Sequence, residues 1–100
     1  MNVEYSPELL EQMQKKGRKN ISIEVASSDH SDIEITEIFL RYVTDEFADY
    51  LVQKKKYKSV RTEVGQILLP PYRLDYDETV RFYLKKMWIF RKLEVEGVHL

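Results

Sequence analysis

The sequence contains no cysteine among its 100 residues. A chain without thiols cannot form disulfides, a thiolate zinc site or a thiolate-bound iron–sulfur cluster, and it has no thiol nucleophile. Glycine is also scarce, with three residues, and no glycine-rich phosphate or dinucleotide motif occurs. The two histidines, His30 and His99, offer little material for a Ser-His-acid triad. We therefore expect no enzyme, no cofactor, and no catalytic, cofactor-binding or metal-binding residues.

Long apolar runs and a charge excess are missing as well. No run approaches the ~20 residues of a membrane-spanning helix, and residues 1–10 show no charged-then-apolar leader. The 16 basic and 17 acidic residues give a net charge of −1, which disfavours nucleic acid because such binders usually carry a basic excess. We therefore expect a cytoplasmic protein, with no membrane partner.

The composition that remains is that of one globular domain. Hydrophobic residues make up 43% of the chain and charged residues 33%, without any repeat or linker. A chain of this length buries about two-thirds of its unfolded surface, which is enough for one core without disulfides or metal. We expect a single domain over residues 1–100.

The N-terminal segment carries the clearest local pattern. Asn2–Tyr5 alternates as a short strand, and Ser6 followed by Pro7 is typical of the start of a helix. Gly17 suits the left-handed position at which helices end. These residues predict one helix between Ser6 and Gly17.

Most of the remaining chain has the period of two that is typical of strands. Ala26–Asp32 is predicted to be a polar loop and Asp75–Thr79 a polar turn, and a phase slip near Ile38 predicts a bulge. Asp45–Lys56 stays open between a short helix capped by Thr44 or Asp45, which we favour, and an excursion of loop and strand. The predicted strands are Ile21–Val25, Ile33–Val43, Val60–Val64, Gln66–Leu69, Val80–Leu84 and Leu93–Val95. The expected fold is mainly β with one N-terminal helix (α+β), a compact β-sandwich or barrel-like domain of about six to seven short strands.

Both ends of the chain resemble a known family. The segments that carry the resemblance are Val3–Gly17 with its Ser6-Pro7 start, Ile21–Val25, Gly65–Leu69, Thr79–Leu84 and Leu93–Val98. In them the chain is similar to the HesB-like family, the fold of the A-type iron–sulfur cluster carriers. The similarity is greatest to the short branch with a paired Cys-Cys or Cys-selenocysteine motif.

The missing cysteines separate this chain from that family. The carriers have a cysteine after an early strand and a Gly-Cys-Gly-Cys-like C-terminal segment, and the short branch has paired cysteines in a loop after the second strand. Here the corresponding loop holds Ser27 and Ser28. The resemblance therefore implies a HesB-like domain without cluster ligands, and we expect a non-catalytic interaction or scaffold module.

Two polar segments offer alternative functions. The loop of residues 27–32 contains Asp29, His30 and Asp32, which could bind a metal or small ligand, although their spacing matches no known metal motif and a solvated loop explains them. Lys54–Lys56 beside Tyr57 could contact nucleic acid, but such lysines also cap helices and protect strand edges. We favour the structural explanation for both.

The segment Met87–Phe90 is the most distinctive apolar feature. It holds the single tryptophan, Trp88, within four consecutive apolar residues. One interpretation is that a bend brings all four side chains into the core. The other is that Met87, Trp88 and Phe90 form an interface with a second copy or a protein partner, because Trp, Phe and Met are enriched in interface cores.

Overall fold

The computed structural model describes the backbone of residues 1–30 and 33–100, and the side chains of residues 1–26 and 37–100. Over this part of the chain we find seven strands and two helices. In chain order they are β1 (Asn2–Tyr5), α1 (Pro7–Lys16), β2 (Asn20–His30), β3 (Ile33–Val43), α2 (Asp45–Lys54), β4 (Lys58–Arg61), β5 (Gln66–Leu69), β6 (Asp75–Met87) and β7 (Phe90–His99).

The strands form two sheets. The first has the order β1-β6-β7, in which β1 runs parallel to β6 and β7 antiparallel to it. The second has the order β3-β2-β5-β4, in which β2 and β5 are parallel and the outer pairs antiparallel. The predicted mainly β, α+β class is confirmed, whereas the barrel-like detail is not.

Helix α1 forms as its sequence predicts. The Ser6 side chain accepts a hydrogen bond from the backbone N–H of Leu9 at 3.2 Å, and Pro7 occupies the first turn. Gly17 ends the helix with φ 65°, a left-handed conformation that glycine adopts without steric cost. Leu9 and Met13 are completely buried.

The main core lies between the two sheets and α1. Phe82 and Val80 face it from the first sheet, and Ile21, Ile23 and Ile67 face it from the second. This packing confirms the predicted alternation of β2 and β6, since side chains of a strand alternate between its two faces.

A second helix corrects the prediction of a single N-terminal one. α2 starts behind Thr44, whose hydroxyl accepts from the N–H of Phe47 at 3.1 Å, which confirms the favoured interpretation of Asp45–Lys56. Its residues Ala48 and Leu51 bury Leu68 on the far face of the second sheet. That sheet is therefore covered on both faces.

The predicted bulge near Ile38 is wrong, and burial of both faces of β3 explains the phase slip in the sequence. The β2–β3 pairing runs without a shift from Asn20 opposite Val43 to His30 opposite Ile33. Ile38 packs against the main core and Val43 against the α2 cluster, so apolar residues stand on both faces of β3. The phase slip in the sequence therefore reflects a change in which face of β3 carries apolar residues, and the pairing register does not change.

Two further predicted loops are strands. Ala26–His30 continues β2, so the predicted loop Ala26–Asp32 is wrong up to His30, and residues 31–32 lie outside the described part. Asp75–Thr79 begins β6 and is not a separate turn. Polar residues are compatible with these strands because β3 pairs with all of Ala26–His30, while in the second segment β7 pairs with Asp75 and Tyr76 and β1 pairs with Thr79. The pairing of β6 with β7 has a register shift between Tyr76 and Arg81, within the segment that was predicted to be a turn.

Candidate interaction surface

The β6–β7 hairpin ends in an exposed apolar tip. Met87 pairs with Phe90, so Trp88 and Ile89 form a two-residue connection at its end. The exposed fractions are 87% for Trp88, 89% for Ile89, 58% for Phe90 and 38% for Met87. We call these four residues the hairpin tip.

The interpretation that a bend buries this segment is therefore wrong. Leu84 and Leu93 form the last cross-strand pair that packs against the main core. Three further pairs carry the hairpin past the end of the core, and among the residues whose side chains are described no other element covers the tip. Large apolar residues exposed together mark interaction sites in folded proteins. Of the four, Ile89 is missing from the residues predicted for an interface, although it is the most exposed.

The backbone of the tip is strained at Trp88. Its φ of 55° lies in the left-handed region, which bulky side chains seldom adopt. Of the two connecting residues only Trp88 has a positive φ, as in a type II′ turn, where glycine is preferred at this position. A strained residue that is also 87% exposed gains little from packing, so its identity is not explained by stability.

Replacing Trp88 should therefore leave the fold intact or stabilise it. We expect Trp88→Gly to be up to about 1 kcal/mol more stable than Trp88→Ser, because serine keeps the Cβ that penalises positive φ. Urea unfolding followed by circular dichroism measures the difference. A Trp88→Gly protein less stable than Trp88→Ser would show that the positive φ carries no such cost, and one less stable than wild type would show that the indole contributes to stability; either result contradicts this explanation.

Four cations stand directly behind the tip. The β6–β7 register places Lys86 opposite Arg91 and Lys85 opposite Lys92, and all four side chains are exposed. Like charges directly opposite each other in an antiparallel pair destabilise it. Arg91 forms an ion pair with Glu8 and Lys92 lies 3.6 Å from Glu94, but Lys85 and Lys86 have no salt bridge among the described residues.

A groove runs between the hairpin and α1. Its volume is about 670 Å³, within the range of ligand pockets. Its wall on the hairpin consists of tip residues and the nearest cations, and Gln12 and Lys16 of α1 form the other wall. Three cations and no carboxylate line it; the residues are Gln12, Lys16, Lys86, Trp88, Ile89, Phe90 and Arg91.

A nearly buried carboxylate forms a second polar centre, on the α2 face of the second sheet. Ser22 donates a hydrogen bond to Glu24 Oε1, and the Tyr57 hydroxyl donates to Oε2 at 2.5 Å. Arg41 Nε and Nη2 each lie 3.3 Å from Oε1. Burial, together with the adjacent Glu24 carboxylate, raises the pKa of Tyr57 above its ordinary value.

This centre connects structural elements and leaves little room for a reaction. Ser22 is completely buried, Glu24 and Tyr57 are at most 9% exposed, and each polar group already has a partner. No local sequence pattern marks this centre, because its residues lie on β2, on β3 and beyond α2. We interpret it as a connection between the second sheet and the end of α2.

The other polar residues singled out in the sequence are dispersed. His99 lies in β7 and contacts Asp77 at 3.0 Å, with both side chains more than half exposed. Lys54 ends α2, and Lys58 begins β4. The side chains of Asp29, His30 and Asp32 lie outside the described residues, so the predicted alternative of a ligand site at 27–32 stays a prediction.

Within the described side chains, no group of three or more His, Asp and Glu residues is placed to hold a metal ion. No helix in this part of the chain is long and apolar enough to span a membrane. Comparison with protein-family models gives no match, and comparisons with curated proteins and with solved structures give none either. The fold and the surface thus define a mainly β, α+β domain whose most distinctive feature is an exposed apolar hairpin tip.

Proposed function

We propose that this chain is a non-catalytic cytoplasmic interaction module that binds another protein through the hairpin tip. The observation that carries the proposal is the exposure of Trp88, Ile89 and Phe90 together at the end of a hairpin whose strands stay paired up to Met87 and Phe90. Tryptophan is the residue most enriched among those that dominate binding energy. Because the two strands are paired up to the tip, its backbone needs little ordering on binding.

The HesB-like relationship is part of the same proposal. Its support is the order of strand, proline-initiated helix and strand at the N-terminus, followed by β5, β6 and β7 at the C-terminus. A domain of this kind without cysteines has no thiolate ligands for a cluster, so we assign it a scaffold or interaction role.

A second copy of the chain fits the tip less well than another protein. A symmetric contact would place the same patch on both subunits, and Lys85 and Lys86 of the two copies would then approach each other. Like-charge juxtaposition disfavours such an association. A different protein without lysines at the contact meets no such repulsion.

Capture experiments with a tip variant test the proposal. Immobilised wild type and the Trp88→Ser/Phe90→Ser variant are incubated with lysate, and a protein captured by wild type is purified and titrated. Because truncating such anchors costs 2 kcal/mol or more, we expect the variant to bind it at least about thirtyfold more weakly. Tyr72→Ser, which removes an aromatic side chain that is 59% exposed elsewhere, is the matched control and should bind normally.

Two outcomes contradict the proposal. If the tip variant and wild type bind the captured protein equally, the tip is not the binding surface. If sedimentation equilibrium shows a wild-type dimer that the tip variant abolishes, the partner is a second copy and the charge argument above is wrong.

A further inference from the structure

We infer that the groove between α1 and the hairpin binds a peptide segment of the partner in which acidic residues alternate with apolar ones. This inference rests on the proposed function and adds the chemistry of the partner. Its basis is the combination, in one concavity, of three apolar side chains and three cations without a carboxylate.

The excess of positive charge is local to the groove and is not a property of the whole chain. The net charge is −1, yet Lys16, Lys86 and Arg91 line the groove together. Arg91 is already paired with Glu8, whereas Lys16 and Lys86 have no salt bridge among the described residues, so these two lysines are the groups that an anionic ligand would neutralise. The same ligand is attracted at long range, which increases its association rate.

The two ends of the groove differ in the charges that line them. At the end away from Trp88, a second concavity of about 420 Å³ shares Gln12, Lys16 and Arg91 and adds Glu8, Glu11 and Lys15. Cations without carboxylates therefore line the end at Trp88, and mixed charges line the end at Glu8. A bound segment should place its carboxylates near Lys16 and Lys86 and its apolar side chains against Trp88 and Phe90.

The shape favours a peptide over other anionic surfaces. A membrane is flat on this scale and would contact the tip but leave the groove between α1 and the hairpin empty. Nucleic acid would stack on Trp88 and Phe90, but Ile89, which also lines the groove, offers no ring for stacking. An extended peptide can enter the groove and use both its apolar and its charged walls.

Selection from a library of random 12-residue peptides displayed on phage tests the inference. For wild type we expect enriched peptides with net negative charge and at least two large apolar residues. For Lys16→Glu/Lys86→Glu we expect the enriched charge to change sign, and the best wild-type peptide should bind this variant at least about tenfold more weakly. Lys54→Glu/Lys58→Glu makes the same change in net charge at lysines that do not line the groove, and it should select as wild type does.

The outcomes distinguish a failure of this inference from a failure of the proposed function. Selection of peptides without a charge preference, or an unchanged preference in Lys16→Glu/Lys86→Glu, overturns the acidic segment but leaves the tip as the binding surface. Acidic peptides that bind the Trp88→Ser/Phe90→Ser variant as well as wild type would overturn the proposed function. Binding to vesicles containing phosphatidylglycerol, or to oligothymidine, without any selected peptide assigns the surface to lipid or nucleic acid and overturns the inference.

Discussion

Replacing Glu24 with alanine should lower the free energy of unfolding by about 3 kcal/mol, because a nearly buried acceptor of several hydrogen bonds is lost. The substitution leaves the completely buried Ser22 hydroxyl and the Tyr57 hydroxyl without their acceptor. Each unsatisfied buried group costs about 1–3 kcal/mol. The ion pair adds less, because the Arg41 side chain is 48% exposed and water screens it.

Urea unfolding of Glu24→Ala and of two controls measures this effect. Glu37→Ala removes an exposed carboxylate from β3 and should change stability by no more than about 0.5 kcal/mol. Glu24→Gln keeps an oxygen acceptor and should fall between Glu24→Ala and wild type. Equal stability of Glu24→Ala and Glu37→Ala would show that the hydroxyls find other partners, and the proposed connection between β2 and α2 would be wrong.

Replacing Gly65 with alanine should lower the free energy of unfolding by about as much as Glu24→Ala does, for a steric reason. A Cβ at this position would lie 2.0 Å from the Lys19 carbonyl oxygen and 2.7 Å from its carbon, both backbone atoms. The same oxygen accepts a hydrogen bond from the N–H of Gln66 at 3.1 Å, at the start of the parallel pairing of β2 with β5. The two strands must separate locally, and we expect a loss of about 3 kcal/mol.

Gly17→Ala is the informative comparison for Gly65→Ala. Nothing lies within 4 Å of a Cβ at Gly17, so its cost comes from its φ of +65° alone and should be about 1 kcal/mol. Thermal or urea unfolding of both variants therefore separates steric contact from backbone conformation. If Gly17→Ala is the less stable of the two, the close approach of Gly65 to Lys19 does not limit stability.

These effects concern the scaffold, whereas the proposed binding surface should tolerate substitution. Trp88 and Ile89 project from the end of a hairpin whose core contacts end at Leu84 and Leu93. Variants of the tip should therefore remain folded, which makes loss of binding directly interpretable. Substitutions at Glu24 and Gly65 should instead destabilise the fold. Glu24 contacts Arg41 of the neighbouring strand, and Gly65 permits the close approach of its backbone to Lys19.

Local signals were sufficient to predict several elements. Ser6, Pro7 and Gly17 determine where α1 begins and ends, because the cap and the left-handed residue act within one turn of the helix. Of the two cap residues considered for α2, Thr44 is the one that marks where this helix begins. Composition alone excluded all thiol chemistry.

Only the tertiary structure decided what depends on residues distant in sequence. Pairing with β3 makes a strand of Ala26–His30, and burial on both faces explains the apolar pattern near Ile38. The apolar alternation of β6 ends at Leu84, since Lys86 takes the next core-facing position, and the main core ends there as well. The sequence did not show that β6 and β7 stay paired for three more residue pairs, because that pairing depends on contacts between the two strands, and it carries Trp88 and Ile89 past the core.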